Sequence, residues 1–236
     1  MSTPRYRRVI LKLSGESLGG ASSLDHEACD YIAREIKALY DLGVEVGVVI
    51  GGGNIFRGAH ARYFGLQRTP ADHIGMLATA INGLLLGQTL AKRGCKTRVL
   101  SAVNLNGMVD VYNWASAMRY LSSGIMLLFV GGTGNPYFTT DTAAAMRASE
   151  VGADALIKAT KVDGVYDKDP VEHADAVKAD RLTYSDVLVR DLHVMDATPI
   201  ALCRENAIPI HVCNLFSPGA LIRAVCDGEG GTLIEA

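Results

Sequence analysis

Lys12 interrupts an apolar run, Val9-Ile10-Leu11, and is followed by Leu13, Ser14 and Gly15. An ammonium there either lays its stem along a sheet edge or points into a site. A small-residue turn beside it lets an anion reach backbone N–H groups as well. A second glycine cluster, Gly51-Gly52-Gly53-Asn54, follows the apolar stretch Val44–Ile50, with Arg57 four residues after the last glycine. Three glycines in a row at the end of a strand bare their amides to an anion, and a guanidinium can clamp it in bidentate fashion. The run Gly132-Thr133-Gly134-Asn135-Pro136-Tyr137-Phe138-Thr139-Thr140-Asp141 follows Ile125–Val130. Its glycines, amide and hydroxyls allow close approach of a small anionic or heterocyclic ligand. Lys158–Pro170 then places Thr160, Lys161, Tyr166 and Asp169 in a stretch dense with Asp and Lys.

These parts suit phosphoryl transfer, which asks for positioning and positive charge around the transferred group more than for covalent chemistry. Each residue also has a plainer reading. The triple glycine can be a simple turn and Arg57 a solvated surface charge. Asp72, close behind Pro70, reads as a helix cap or as an acceptor for ribose hydroxyls. Asp141 reads as a cap or as a carboxylate that orients a catalytic lysine. Asp163, Asp167 and Asp169 can be turn residues, since Asp163-Gly164 is a strong turn signal. No G-x-x-x-x-G-K-[S/T] loop occurs. The dinucleotide fingerprint is poorly matched, because Pro70 puts Asp72 at a helix start rather than at a strand end.

The elements that must position these residues alternate. Strand-length apolar runs fall at Val9–Leu13, Val44–Ile50, Thr97–Leu100, Ile125–Val130, Ala155–Ala159 and Ile208–Cys213. Helical spacing predicts one helix from an Asp25 cap to about Leu42 and another, opened by Pro70, from Ala71 to about Arg93. Shorter ones are predicted at Asn113–Leu121, Thr140–Val151, Met195–Asn206 and Pro218–Cys226. The pattern predicts a three-layer α/β/α sandwich around a mostly parallel sheet. Between Val165 and Leu188 it loosens into loops or a small hairpin. One domain is expected over 1–236, as two intimate lobes of about 1–152 and 153–236.

Composition is ordinary, with 49% hydrophobic and 20% charged residues and a net charge of −2, which excludes extensive disorder and gives no sign of a nucleic-acid-binding surface. The five cysteines are scattered without a Cys-x-x-Cys pair, and the six histidines form no zinc motif. The cysteines read as reduced core thiols. No leader-like or membrane-spanning segment is expected, and the cytoplasm is the expected compartment.

Several of these segments are long and specific: K-L-S-G-E from Lys12, V-G-V-V-I-G-G-G-N-I-F-R-G from Val46, D-H-I-G-M-L-A-T from Asp72, the 132–141 run, K-A-T-K-V-D-G-V-Y-D-K-D-P, L-T-Y-S-D-V from Leu182 and the closing G-T-L-I. Over nearly the whole chain they closely resemble the bacterial uridylate (UMP) kinases of the amino-acid-kinase fold. That resemblance implies transfer of a phosphoryl group from MgATP to UMP in pyrimidine nucleotide synthesis. It implies that Lys12, Leu13, Ser14, Gly15, Gly53, Arg57, Thr160, Tyr166 and Asp169 hold ATP. Gly52, Asp72 and the loop from Thr133 through Gly134, Asn135, Pro136, Tyr137, Phe138 and Thr139 to Thr140 would hold UMP. Lys12, Arg57, Asp141 and Lys161 would serve the transfer. It further implies Mg²⁺ carried by the ATP phosphates rather than by a protein metal site, a homohexamer, inhibition by UTP and an effector role for GTP. The Ser17–Leu24 loop departs from the family by about two residues and lacks its aromatic, which weakens the expected response to GTP. Competing readings are a kinase of carbamate, aspartate or glutamate on the same fold, or a non-catalytic nucleotide-binding storage or regulatory protein. Asp72 and N-P-Y-F-T-T favour a nucleoside monophosphate over the first, and the presence of Lys12, Asp141 and Asp169 argues against the second.

Overall fold

The computed structural model describes residues 4–20, 22–170, 172–173, 175–192 and 194–236. In chain order β1 (Arg8–Leu13), α1 (His26–Asp41), β2 (Glu45–Ile50), α2 (Arg68–Lys92), β3 (Thr97–Ser101), β4 (Asp110–Val111), α3 (Trp114–Ser122), β5 (Met126–Val130), α4 (Thr140–Val151) and β6 (Ala155–Thr160) form the first part. The second part holds β7 (Val165–Tyr166), β8 (Lys178–Ala179), β9 (Arg181–Thr183), α5 (Tyr184–Val189), α6 (Ala197–Glu205), β10 (Ile210–Asn214), α7 (Ala220–Ile222) and β11 (Gly231–Glu235). Nine of these strands make one sheet in the order β4-β3-β5-β2-β1-β6-β10-β11-β9. Its pairings are parallel except β10 with β11.

Side chains of β1 alternate between the two faces, and each face is covered. Val9, Leu11 and Leu13 pack with Ile32, Ile36 and Leu39 of α1 and Leu86 and Leu90 of α2. Ile10 goes the other way, with Phe129, Leu156, Ala144 and Ala148 of α4 and Ile200 of α6. The result is the three-layer α/β/α sandwich expected from the sequence. It also decides the direction of Lys12, which shares the face of Ile10 and so lies under α4.

α2 sits unusually close to the sheet because it presents glycine there. A Cβ at Gly83 would lie 2.2 Å from Val130 Cγ1, and one at Gly87 3.3 Å from Val99 Cγ2. The opposite side of the helix leaves Ile74, Leu77 and Ile81 exposed, at spacings of three and four residues. By length and composition alone α2 is apolar enough to cross a membrane. Half of the relevant window is buried in the fold, as in a core helix.

Several boundaries differ from the sequence reading. α2 begins at Arg68, with Pro70 inside its first turn where a missing N–H costs nothing. Asp72 therefore lies past the cap, which is Gln67, and the capping reading of Asp72 is wrong. The loose region does contain a small hairpin, β7 with β8. It also contains β9 at the sheet edge and α5, started by a capping box between Thr183 and Asp186. The last expected helix is only α7 followed by a π turn, Arg223–Asp227. β11 was not expected as a strand. All five cysteines are buried and free.

Candidate active site

Two central strands each carry a lysine close to the C-terminal end. Lys12 of β1 and Lys158 of β6 are register partners. Both reach Asp141, the second residue of α4: Lys12 Nζ lies 2.8 Å from Oδ1 and Lys158 Nζ 2.8 Å from Oδ2. The three side chains are only 11%, 15% and 14% exposed, respectively. The two contacts are not equivalent. Lys158 donates a well-formed hydrogen bond to Oδ2 and another to the Val194 carbonyl. Lys12 Nζ lies within hydrogen-bonding distance of Oδ1, but Lys158 has the second anchor, at the Val194 carbonyl. Burial would push the Asp141 carboxyl up, but Lys12 and then Lys158 hold it below the usual carboxylate value. Burial depresses the Lys158 ammonium. Asp141 offsets this in part, and the neighbouring Lys12 charge adds to the depression. Asp141 is not a helix cap; its carboxylate is committed to the two lysines.

Around this triad the glycine loops meet. Gly51 N–H donates to the Leu13 carbonyl at 2.9 Å. A Cβ at Gly15 would lie 2.5 Å from Asn54 Oδ1 and 2.8 Å from the Gly53 nitrogen, so glycine is required for the approach. Asn54 is fixed by Asn82 of α2: each side-chain amide donates to the other's oxygen, at 3.1 and 2.7 Å. Asn82 also donates to the Gly51 carbonyl, and Asn54 to the Ser23 carbonyl, both at 2.7 Å. The loop between β1 and α1, the triple glycine and α2 are thereby one connected unit. Ala21 in that first loop lies outside the described residues.

On one side of the triad a cavity of about 140 Å³ is lined by Gly52, Asp72, Thr79, Thr133, Asn135 and Phe138, among others. Thr140 also borders it. Asp72 accepts from the Tyr137 backbone N–H at 2.7 Å and pairs with Arg68, whose guanidinium lies 5.3 Å from the centre of the Tyr137 ring. The wall formed by Gly132–Thr139 is sharply turned, with positive φ at Gly132, Gly134 and Tyr137, and Thr79 Oγ1 accepts the Gly131 N–H at its base. Pro136 and Thr139 lie in this same loop, between β5 and α4.

On the other side, Glu16 brings Arg57 and Lys161 together. Arg57 pairs with Oε1, and Lys161 Nζ lies 3.9 Å from Oε2. Ser14 accepts the Glu16 N–H at the start of a tight turn, Gly15–Leu18. Thr160 caps the end of β6 by accepting the Val162 N–H at 2.9 Å. Tyr166 and Asp169 line a separate cavity of about 510 Å³ with Lys168, Pro170, His173 and Arg190. The Tyr166 hydroxyl donates to Asp163 at 2.6 Å, which raises the phenol and lowers the carboxyl from their usual values. Among the described residues no three His, Cys, Asp or Glu side chains are grouped to hold a metal ion.

Sequence reasoning missed Lys158, Glu16, Asn82 and Thr79. Lys158 had a signal: it breaks the apolar run of β6 in the same way that Lys12 breaks β1. The partnership of Asn82 with the glycine loop, from within a long helix, left no mark in spacing.

The model of the amino acid kinase family matches residues 7–214. A protein of Paramagnetospirillum magneticum described as uridylate kinase is 54% identical over 231 residues, covering 97% of this chain and 96% of its own length. One of Chromohalobacter salexigens, with the same description, is 50% identical over 233 residues, covering 98% and 92%. The crystal structure of UMP kinase from Bacillus anthracis superposes with a TM-score of 0.93 at 40% identity, over 98% of this chain and 96% of that one. The chain belongs to the amino acid kinase family and, within it, to the uridylate kinases.

Proposed function

We propose that this protein transfers the γ-phosphoryl group of ATP to UMP, forming ADP and UDP. The observation that carries the reading is the Lys12–Asp141–Lys158 triad lying at the strand ends near two facing sets of residues, one neutral to acidic and one basic. UMP would occupy the cavity of Gly52, Asp72 and the 133–140 loop, with Asp72 accepting from ribose hydroxyls. ATP would lie across Lys12–Gly15, Gly53, Arg57 and Thr160, with Tyr166 and Asp169 toward its base and sugar. Lys12 is the group best suited to meet charge developing on the transferred phosphoryl, because it stands beside the Ser14-Gly15 turn, whereas Lys158 is bound to the Val194 carbonyl as well as to Asp141. Lys158 keeps Asp141 in place, and Arg57 and Lys161 would orient the donor phosphates.

Mg²⁺ would be bound by the phosphate oxygens, since Asp141 is already committed to two ammonium groups; it would supply charge neutralisation across the phosphate chain. The acceptor residues fall in a lobe of about 1–152, which also supplies Lys12–Gly15, Gly53 and Arg57 to the donor, while Thr160, Tyr166 and Asp169 come from a lobe of about 153–236. The exposed Ile74-Leu77-Ile81 stripe on α2 has the spacing of a helix-packing seam and supports self-association, with a homohexamer as the expected assembly. UTP would inhibit. GTP would act weakly, because Gly19, Gly20, Ser22 and Ser23 offer neither an aromatic ring nor a cation for guanine. The cytoplasm, where ATP and UMP meet, is the compartment this activity fits.

The test is ADP release from MgATP offered UMP, dUMP, CMP, AMP, GMP, carbamate or aspartate. Turnover with UMP and weaker use of dUMP are expected. Turnover with carbamate or aspartate and none with UMP would overturn the reading.

A further inference from the structure

Three groups that a phosphate chain would use already converge on an anion of the protein itself. Arg57 comes from the loop after β2 and Lys161 from the end of β6, and both meet the Glu16 carboxylate. The bare backbone of Gly53 faces it too, since a Cβ there would lie 3.8 Å from Glu16 Oε1. The turn that presents Glu16 is anchored beneath by buried Ser17 and Leu18, so the carboxylate is aimed while its tip stays partly open to water. A cavity of about 600 Å³ opens over this cluster, with Glu16, Gly53, Asn54, Arg57 and Lys161 in its wall.

From this convergence we infer that Glu16 is a specificity-determining residue on the donor side, an internal competitor that the phosphates of a nucleotide must displace from Arg57 and Lys161. The inference rests on the donor placement proposed above. One carboxylate facing two cations leaves a net positive charge, so the cluster still attracts a polyanion. The pair is solvent-exposed, and such pairs hold weakly, so displacement is easy for a ligand that brings several charges. A ligand with a single phosphate gains little beyond what Glu16 already provides. The carboxylate would thus favour di- and triphosphates on this side and keep a nucleoside monophosphate from settling there.

The plainer alternative is an ordinary surface ion pair that steadies the turn. Calorimetric titration of wild type, Glu16→Gln, Arg57→Ala and the double variant with MgADP, MgATP and AMP separates the two. Competition requires Glu16→Gln to tighten MgADP by about two- to fivefold, the reach of an exposed ion pair. AMP should tighten at least as much, narrowing the preference for the diphosphate. In the Arg57→Ala background the gain should shrink or vanish. Glu16→Asp, whose shorter arm draws the carboxylate back from Arg57, should tighten binding in the same direction. Unchanged or weaker binding in Glu16→Gln with an unchanged melting temperature overturns the inference while leaving the donor site intact. Absence of adenine nucleotide binding to the wild type overturns both.

Discussion

A carboxylate shared by two ammonium groups behaves differently from a simple ion pair, because removing it exposes the lysines to each other. Asp141→Asn should therefore cost about 3–5 kcal/mol of stability, as when a buried pair loses one member. Its pH dependence has a definite sign. Folding holds Asp141 below its unfolded value of 3.8, so the contribution is complete above that pH and is lost as pH falls through the lower folded value. Urea unfolding of wild type and variant across pH 2–6 should give curves that converge at the acid end, with the whole difference restored at the upper end of the range. Lys12→Ala should act on rate instead: kcat is expected to fall about 10²–10³-fold, with native circular dichroism. A folded variant with near-normal kcat would remove Lys12 from the reaction. Lys12 was legible because a cation in an apolar run needs a reason. Its pairing with Lys158 was not, because it depends on strand register between residues 146 positions apart.

At the scale of elements, α2 is the member most constrained on both sides. Gly83→Ala should gain about 1 kcal/mol in helix propensity and lose about 1–3 kcal/mol by driving a methyl into Val130. The expected balance is a net loss of up to about 2 kcal/mol, read from urea midpoints at constant slope. A stabilised Gly83→Ala would mean that α2 can lift from the sheet freely. Helices with clear caps, α1 behind Asp25 and α4 ended by Gly152, were readable to within a residue or two. The elements that were missed are short and late. β11 owes its existence to pairing with β10 and β9 rather than to its own apolar pattern. α5 did carry a local signal in Thr183 and Asp186, hidden within a polar stretch.

For the whole molecule, the exposed stripe on α2 offers a test of the proposed self-association. Ile81→Glu should break the proposed contact, and sedimentation velocity should then show smaller species whose circular dichroism is native. An unchanged sedimentation coefficient would mean that the stripe is not the seam. Asn82, the next residue, is fully buried and bonded to Asn54 and Gly51, so activity measured on the same variant reports whether the seam and the glycine loop depend on each other. The layering and the alternation of strand and helix were evident from the apolar runs. The two-sided use of α2 was not, since a helix that is apolar nearly all round does not announce which face meets the sheet.

The facing lysines also bear on the order in which the sheet is assembled. Lys12 and Lys158 stand opposite each other in paired strands, and like charges so placed oppose pairing. Asp141 lies only 17 residues before Lys158, whereas Lys12 belongs to a distant part of the chain. A route in which α4 and β6 come together first brings a neutralised edge to β1. The reverse order presents two bare cations to each other at the middle of the sheet. The charges that suit phosphoryl transfer thus give the folding chain a preferred sequence of events, with the local α4–β6 unit preceding the long-range closure onto β1.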